Sequence, residues 1–406
     1  MSADKAFVID GARTPIGAIG GVLASVRPDD LLAESFRQLL LRQPAISPGH
    51  LDDIIIGCAN QAGEDNRNIA RMAALIAGIP VNVPAETVNR LCASGMSAVV
   101  QARRAICADE GHLFIAGGVE SMTRGPWVIS KTSSPYGRDA KMYDSSFGWR
   151  FINPKLEAVY GCESMGQTAE NLARDFKISR EDQDKFALWS QEKYAAALAK
   201  SVFDDEIIPV EISLGKLGKQ MVTSDEFPKP ETSLDVLSKL RPAFDPQGSV
   251  TAGNSSGLND GAAALLIASS SAVDNLSLQP LAEIISSGVS GVEPRIMGIG
   301  PVTASLLALS RAGLNLDDMN LIEINEAFAS QVLACLRSLH IDDRDSRVNV
   351  NGGAIAIGHP LGMTGSRIIY TAALELRRRN AKYALVTMCI GVGQGYAVVL
   401  KNANFS

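Results

Sequence analysis

Two distant stretches of this chain carry the same pattern. Leu51-Asp52-Asp53-Ile54-Ile55-Ile56-Gly57 resembles Leu316-Asp317-Asp318-Met319-Asn320-Leu321-Ile322-Glu323-Ile324, each a turn leading into an apolar strand. Downstream of each lies a helix followed by a strand. The first helix follows Cys92, runs to Asp109-Glu110, and precedes a strand from His112 to Ala116. The second, Ser366 to Arg379, repeats Ile368, Ile369, Ala372, Ala373 and Leu376 at helical spacing and precedes the strand Tyr383 to Met388. This faint repeat suggests two βαβ-rich half-copies, and a length of 406 residues exceeds what one core usually holds. Cys92 and His359 then occupy matching places, each on a loop before a helix.

The stretch VNRLCASGMSAVV places Cys92 after a β-type run, Glu86 to Asn89, and before a helical pattern starting at Met96. The free N–H groups and positive dipole end of such a helix favour a thiolate. Ala93, Ser94 and Gly95 leave room for a substrate to reach the sulfur, as a covalent catalyst requires. The bland alternative is a buried small hydrophobe.

Of four histidines, His50, His112 and His340 sit in polar or helix-end contexts. His359 stands instead among Gly352, Gly353, Gly358, Pro360, Gly362 and Gly365, a loop whose backbone can approach a ligand or another segment closely. Cys389 ends an apolar strand and is followed by Gly391, Gly393 and Gly395. These glycines read as a tight hairpin. No helix follows them, which argues against a dinucleotide fingerprint.

Composition excludes several classes. The net charge of −6 leaves no footprint for nucleic acid, and Arg377-Arg378-Arg379 reads as a solvated helix end. Six cysteines without a CxxC pair do not form a disulfide framework, and no metal-ligand spacing is visible. No apolar run approaches the roughly 20 residues that span a bilayer, and residues 1–20 show no signal-peptide pattern. A cytoplasmic protein without membrane or nucleic-acid partners is the expectation.

Taken together, NRLCASG, GGAIAIGHPLGMTG and CIGVGQG resemble the nucleophile, histidine and C-terminal cysteine motifs of the thiolase family. Asn325-Glu326-Ala327-Phe328-Ala329 and VTAGNSSGLNDGAAA (Val250 to Ala264) are similar to two further family segments, and the resemblance runs from about Ala6 to Leu400. It implies an α/β fold of five layers, α-β-α-β-α, from two similar halves packed face to face. The halves are expected at residues 1–120 with 247–275, and at 276–406. Residues 121–246, with their Ser-, Pro- and charge-rich texture and a helix capped by Ser179 and Asp182, are expected to form an inserted loop domain over the active site.

The resemblance also implies the chemistry. Cys92 would attack a 3-ketoacyl-CoA and become acylated, with His359 taking its proton or pairing with the thiolate. Cys389 would protonate the departing enolate, and would take the α-proton in the reverse Claisen condensation. One oxyanion site would combine His359 with a water held by Asn325. The other would use the backbone N–H groups of Cys92 and Gly391. Ser256 and Lys229 would contact coenzyme A, with Lys229 replacing a family arginine, Met165 and Phe328 would line the acyl pocket, and Ala327 would also bind the substrate or coenzyme A. Coenzyme A and acetyl-CoA enter as substrates, no cofactor is bound permanently, and a homodimer or homotetramer is expected.

The segments Gly57 to Asn68 and Tyr143 to Pro154 are similar to stretches of 3-oxoadipyl-CoA thiolases. Arg150 or Arg67 would meet the distal carboxylate of such a substrate. Ser164 stands where acetoacetyl-CoA thiolases often carry histidine, which points away from the short-chain alternative. Three other classes stay open at this point: a non-catalytic acyl-CoA carrier, a ketoacyl synthase, for which Cys389 replaces a histidine, and a Cys-His hydrolase.

Overall fold

A computed structural model describes residues 4–405. Nine strands define its frame: β1 (Ala6–Arg13), β2 (Asp53–Gly57), β3 (Glu86–Val88), β4 (Leu113–Ser121), β5 (Asn259–Ser269), β6 (Ala282–Gly291), β7 (Leu321–Ile324), β8 (Tyr383–Ile390) and β9 (Gln394–Asn402). With the short strand Gly17–Ala18 at the edge of β5, they form a ten-stranded sheet in the order β7-β8-β9-β6-β1-β5-β4-β2-β3.

The repeat seen in the sequence is a repeat of topology. In one half β2 lies parallel to β4, followed by antiparallel β5 and β1. In the other, β7 lies parallel to β8, followed by antiparallel β9 and β6. Both copies of the duplicated segment lead into the parallel strand of their half. The halves are also stitched edge to edge, since Phe7 and Val8 of β1 pair with Glu283 and Ala282 of β6. Face-to-face packing of the halves is thus combined with one continuous sheet.

The layers follow from period-two alternation along the strands. In β2, Ile55 joins a central core while Ile54 and Ile56 join an outer one. In β5, Leu265 and Ile267 face the centre and Leu266 faces outward. In β9, Tyr396, Val398 and Leu400 face the centre while Ala397 and Val399 turn to a third core. The outer cores are closed by helices α1 (Pro28–Arg42) and α2 (Ile69–Ala77) on the first half, and on the second by α6 (Gly300–Ala312) and α7 (Ala329–Ser338).

The central layer holds α3 (Ser94–Cys107) and α8 (Leu361–Arg378). Every residue of α8 from Gly362 to Leu376 is buried, as expected of a helix covered on all sides. The two helices nearly touch through their backbones. A Cβ on Gly95 would lie 2.5 Å from the carbonyl oxygen of Gly362, and one on Gly365 would lie 2.4 Å from the nitrogen of Met96. Only glycine permits this approach, and it brings the N-termini of both helices to one place. The histidine helix begins at Leu361, earlier than the apolar periodicity from Ser366 suggests, because Gly362 and Gly365 break the pattern while fitting the crossing.

Between β4 and β5 the chain leaves the sheet. Two separate hairpins (Trp127–Ile129 with Met142–Asp144, and Val210–Ser213 with Lys219–Val222) accompany helices α4 (Met165–Asp175) and α5 (Arg180–Leu198). The Ser179–Asp182 capping box read from the sequence starts α5. Fully buried Arg13, at the end of β1, ties this region down. Its Nε donates to Glu206 (2.9 Å), and Nη1 and Nη2 donate to Asp225 (2.8 and 3.1 Å). Asp225 also accepts the N–H of Ile16 at 2.9 Å and the hydroxyl of Tyr194 at 3.3 Å. Removing one partner of such a buried pair leaves uncompensated charge. Arg13→Ala is therefore expected to cost about 3–5 kcal/mol of stability, read from the urea midpoint; an unchanged midpoint contradicts the anchoring role.

Candidate active site

The turn carrying Cys92 is built by short-range polar contacts. Leu91 adopts a left-handed φ of 47°, and its N–H donates to Asn89 Oδ1 at 2.8 Å. Ser94 Oγ accepts the N–H of Arg90 (2.8 Å) and donates to the carbonyl of Leu91 (2.7 Å). Cys92 is half-buried. The nearby N–H groups of Gly391 and of Cys92 itself favour a thiolate, but burial outweighs them and the thiol is pushed above its ordinary value. The pull of the helix N-terminus toward a thiolate, expected from the sequence, is outweighed here by desolvation.

His359 is also neutral at rest. Burial, reinforced by the positive charge of Arg367, lowers its pKa to about 3. Both shifts work against a resting imidazolium–thiolate pair, the second option read from the sequence. The ring is held from both ends. Its Nδ1 lies 2.7 Å from Thr364 Oγ1, and that hydroxyl donates to the carbonyl of Pro360 at 2.8 Å. With the hydroxyl proton used, Thr364 accepts, so Nδ1 carries the ring proton and Nε2 presents a lone pair. Asn325 Nδ2 sits 3.4 Å from Nε2. The backbone N–H of His359 donates to Asn259 Oδ1 at 2.9 Å, and Asn259 Nδ2 donates in turn to the carbonyl of Gly17.

Cys389 lies near the end of β8, buried with Ala169, Val250, Met297, Ala327 and Phe328, and Met165 packs against this group. Its thiol is pushed well upward by burial and then by proximity to Cys92. Gly391 and Val392 form the hairpin with Gly393, where Val392 and Gly393 take the positive φ values of 62° and 82°. Gly391 itself is not forced by packing. A methyl group there would meet only Leu91 Cδ1 at 3.5 Å and Met165 Sδ at 3.6 Å, so it would stand in the space beside Cys92.

Asn325 follows β7 and donates its N–H to the carbonyl of Thr387 in β8 at 3.0 Å. Its Oδ1 is buried without a partner among the described residues. Beside it, buried Glu326 accepts from Ser190 Oγ (2.6 Å), Asn349 Nδ2 (2.7 Å) and the N–H of Ile355 (3.2 Å), fixing the chain that leads to His359. Phe328 N-caps α7, and its ring meets Phe244 edge-on at 6.2 Å. Ser256 donates its N–H to the carbonyl of Ala327 at 3.0 Å. Ser164 caps α4 reciprocally with Gln167.

The fold thus gathers Cys92, Gly391 and Met165 on one side, Cys389, Ala327 and Phe328 on another, and His359 with Asn325 on a third. Ser256 borders the group. Lys229 is exposed, its N–H bonded to Gln191 and its ammonium 5.6 Å from the Phe227 ring centre. Thr364, Asn259 and Phe244 support the site although they are not among the site residues expected from the sequence. Thr364 lies inside the histidine motif, one helical turn from Pro360, and that spacing is the available signal. A separate cavity of about 650 Å³ is lined by Asp10, Arg42, Asp205, Tyr370, Arg377 and Arg378 among others. Several of its polar groups bond one another, Tyr370 to Asp10 and Arg378 to Asp205. Among the described residues no group of three or more His, Cys, Asp or Glu is placed to hold a metal ion, and no helix is long and apolar enough to cross a membrane.

Two thiols and an imidazole lie where the two half-folds meet, and the chain belongs to the thiolase family, whose members are acyl-transferring enzymes. Residues 6–271 match "Thiolase, N-terminal domain" and residues 278–402 match "Thiolase, C-terminal domain". It is 54% identical over 396 residues to the beta-ketoadipyl-CoA thiolase of Acinetobacter baylyi, covering 98% of this chain and 99% of that one. It is 53% identical over 397 residues to the 3-oxoadipyl-CoA/3-oxo-5,6-dehydrosuberyl-CoA thiolase of Escherichia coli, with the same coverage. The crystal structure of human mitochondrial 3-ketoacyl-CoA thiolase superposes with a TM-score of 0.92 at 44% identity, covering 99% of this chain and 100% of that one. The protein is an acyltransferase that makes or breaks a carbon–carbon bond by Claisen chemistry on acyl-CoA.

The neutral resting pair has a measurable signature. Alkylation of Cys92 by iodoacetamide, followed by mass spectrometry of the peptide, is expected to rise continuously with pH through the ordinary thiol range. A rate that stays flat down to about pH 5, as a thiolate–imidazolium pair gives, contradicts this assignment.

Proposed function

We propose that this thiolase cleaves 3-oxoadipyl-CoA with coenzyme A, giving succinyl-CoA and acetyl-CoA through an acyl-Cys92 intermediate. The observation that carries the site assignment is the geometry at His359: Thr364 holds Nδ1–H, so Nε2 is free to accept a proton. Nε2 takes the Cys92 proton as sulfur attacks the ketone carbon. The N–H groups of Cys92 and Gly391, which lie near Sγ, receive the developing oxyanion. The α–β carbon bond breaks, and the Cys389 thiol protonates the enolate carbon. The enolate oxygen is met by the newly protonated Nε2 and by a water that Asn325, with its free buried Oδ1, would hold. An incoming coenzyme A thiol returns a proton to Cys389, its thiolate takes the acyl group, and His359 reprotonates Cys92. A high thiol pKa keeps Cys389 protonated until an enolate forms, which suits a general acid.

The choice of substrate rests on the likeness to the Acinetobacter baylyi beta-ketoadipyl-CoA thiolase and the Escherichia coli 3-oxoadipyl-CoA/3-oxo-5,6-dehydrosuberyl-CoA thiolase, and on the segments around Arg150 and Arg67. Arg150 is half-buried and donates to the carbonyl of Ser145 at 3.2 Å. Ser145 is bonded through its carbonyl and hydroxyl to Asn60, whose neighbour Ala59 is tied to Asn89, three residues before Cys92. Arg67 is exposed on a left-handed loop position. Of the two, Arg150 is better held to meet a carboxylate. Residues 121–246 would act as the loop domain that covers this site. A reducing cytoplasm suits the free thiols. Assembly into dimers or tetramers would cover apolar groups such as Trp127, Ile129 and Met142, which are 70, 67 and 59% exposed.

Thiolysis of 3-oxoadipyl-CoA and acetoacetyl-CoA, compared by kcat/KM with Cys92→Ala as the blank, tests this reading. A preference for 3-oxoadipyl-CoA is expected. Arg150→Ala is expected to reduce that preference about tenfold to a hundredfold, as losing a charged contact to one substrate does. A preference for acetoacetyl-CoA would overturn the substrate assignment, and retained activity in Cys92→Ala would overturn the mechanism.

A further inference from the structure

We propose that Glu120 is a positioning residue for thiolysis, a single carboxylate that sets the Cys92 turn and the His359 loop at their working separation. The inference rests on the reading of Cys92 and His359 as the reacting pair. Glu120 is the penultimate residue of β4, is 2% exposed, and has no part in the chemistry described above. Its two oxygens collect three backbone N–H groups from two other segments. Oε2 accepts from Gly362 at 2.9 Å and from Ala59 at 3.0 Å, and Oε1 accepts from Asn60 at 3.0 Å.

Each contact leads to a reacting group. Gly362 is in the first turn of α8, where N–H groups lack helical partners. It stands between His359 and the Thr364 hydroxyl that orients the imidazole. On the other side, the carbonyl of Ala59 accepts from Asn89 Nδ2 at 3.0 Å, and Asn89 Oδ1 accepts the N–H of Leu91. One carboxylate therefore ends two short chains of hydrogen bonds, one to the histidine and one to the nucleophile turn. The packing leaves no room for the segments to settle elsewhere: a Cβ on Gly118 would fall 1.9 Å from the carbonyl oxygen of Gly362.

Ionisation matters to this clamp. A carboxylate accepts all three N–H groups, whereas a carboxylic acid turns one acceptor site into a donor. The elements packed around Glu120 bring Cys58 and Asp65 on the loop after β2, Asp260 on neighbouring β5, Cys92 before α3 and His359 before α8. Burial, with a smaller contribution from Asp65, raises the Glu120 pKa to about 7 against the three N–H groups that lower it. Protonation as the pH falls through this value weakens the clamp.

The test compares wild-type protein, Glu120→Gln, Glu120→Asp, Asn89→Ala and Cys92→Ala in thiolysis of 3-oxoadipyl-CoA and acetoacetyl-CoA across pH. Glu120→Gln is expected to lower kcat about tenfold to a hundredfold, as misplacement of reacting groups by about 1 Å does. KM for coenzyme A should stay within about twofold, because only uniform binding would raise it. The wild-type acid limb near pH 7 should disappear in Glu120→Gln and persist in Glu120→Asp, which keeps the charge. Asn89 is exposed, so Asn89→Ala interrupts the nucleophile-side chain in a folded protein and is expected to lower kcat with the acid limb kept. If Glu120→Gln does not fold, Glu120→Asp and Asn89→Ala decide. Wild-type kcat in both, or in a folded Glu120→Gln, overturns the proposal while an inactive Cys92→Ala leaves the acyl-enzyme reading standing. Activity in Cys92→Ala overturns that reading and the proposal with it.

Discussion

The close crossing of α3 and α8 is the contact on which the rest of the molecule depends. Each helix follows a loop that carries one of the proposed reacting side chains, Cys92 or His359, and each belongs to a different half. Their axes can approach only because Gly95, Gly362 and Gly365 remove side chains where backbone meets backbone. The sheet curls around this pair, with β2, β4 and β5 on one side and β8 and β9 on the other. A larger residue at the crossing would separate the two loops as well as disturb the core. Fold stability and the placement of Cys92 relative to His359 therefore share one set of contacts.

Buried acids reinforce the crossing from two sides. Glu120 gathers N–H groups where α8 begins, and Glu326 gathers Ser190, Asn349 and Ile355 where the preceding loop enters. Each acts on backbone or short side chains rather than on substrate. This explains why a loop so rich in glycine is nevertheless fixed. The freedom that glycine brings to the chain is removed by carboxylates from neighbouring segments, which is the arrangement a reacting centre needs.

The frame of the fold is legible in the sequence because its signals are local. The duplicated turn-and-strand segments give the parallel strands β2 and β7, and the Ser179 capping box starts α5. The motifs around Cys92, His359 and Cys389 also mark their loops. What escapes a reading of the sequence is set by distance along the chain. The start of α8 at Leu361 depends on the partner helix, and the link between β1 and β6 depends on two residues at each edge. Thr364 fixes the imidazole and Asn259 the backbone of His359, and only the folded chain brings Asn259 to it. Protonation states depart from the sequence expectation for a related reason. The helix N-terminus and the histidine are visible in sequence, whereas the depth of burial that overrides them is not.

That override bears on how the protein survives between turnovers. Peroxides attack the thiolate form of cysteine, so the rate of sulfenic acid formation follows the fraction ionised. With Cys92 and Cys389 both held as thiols by their surroundings, the idle centre offers oxidants little to react with. On the proposed mechanism, nucleophilicity would arise only when a substrate carbonyl stands within reach of the sulfur and the ring of His359 accepts the thiol proton. The same desolvation that makes the nucleophile weak at rest lets a cysteine-based catalyst wait in a cell without being consumed.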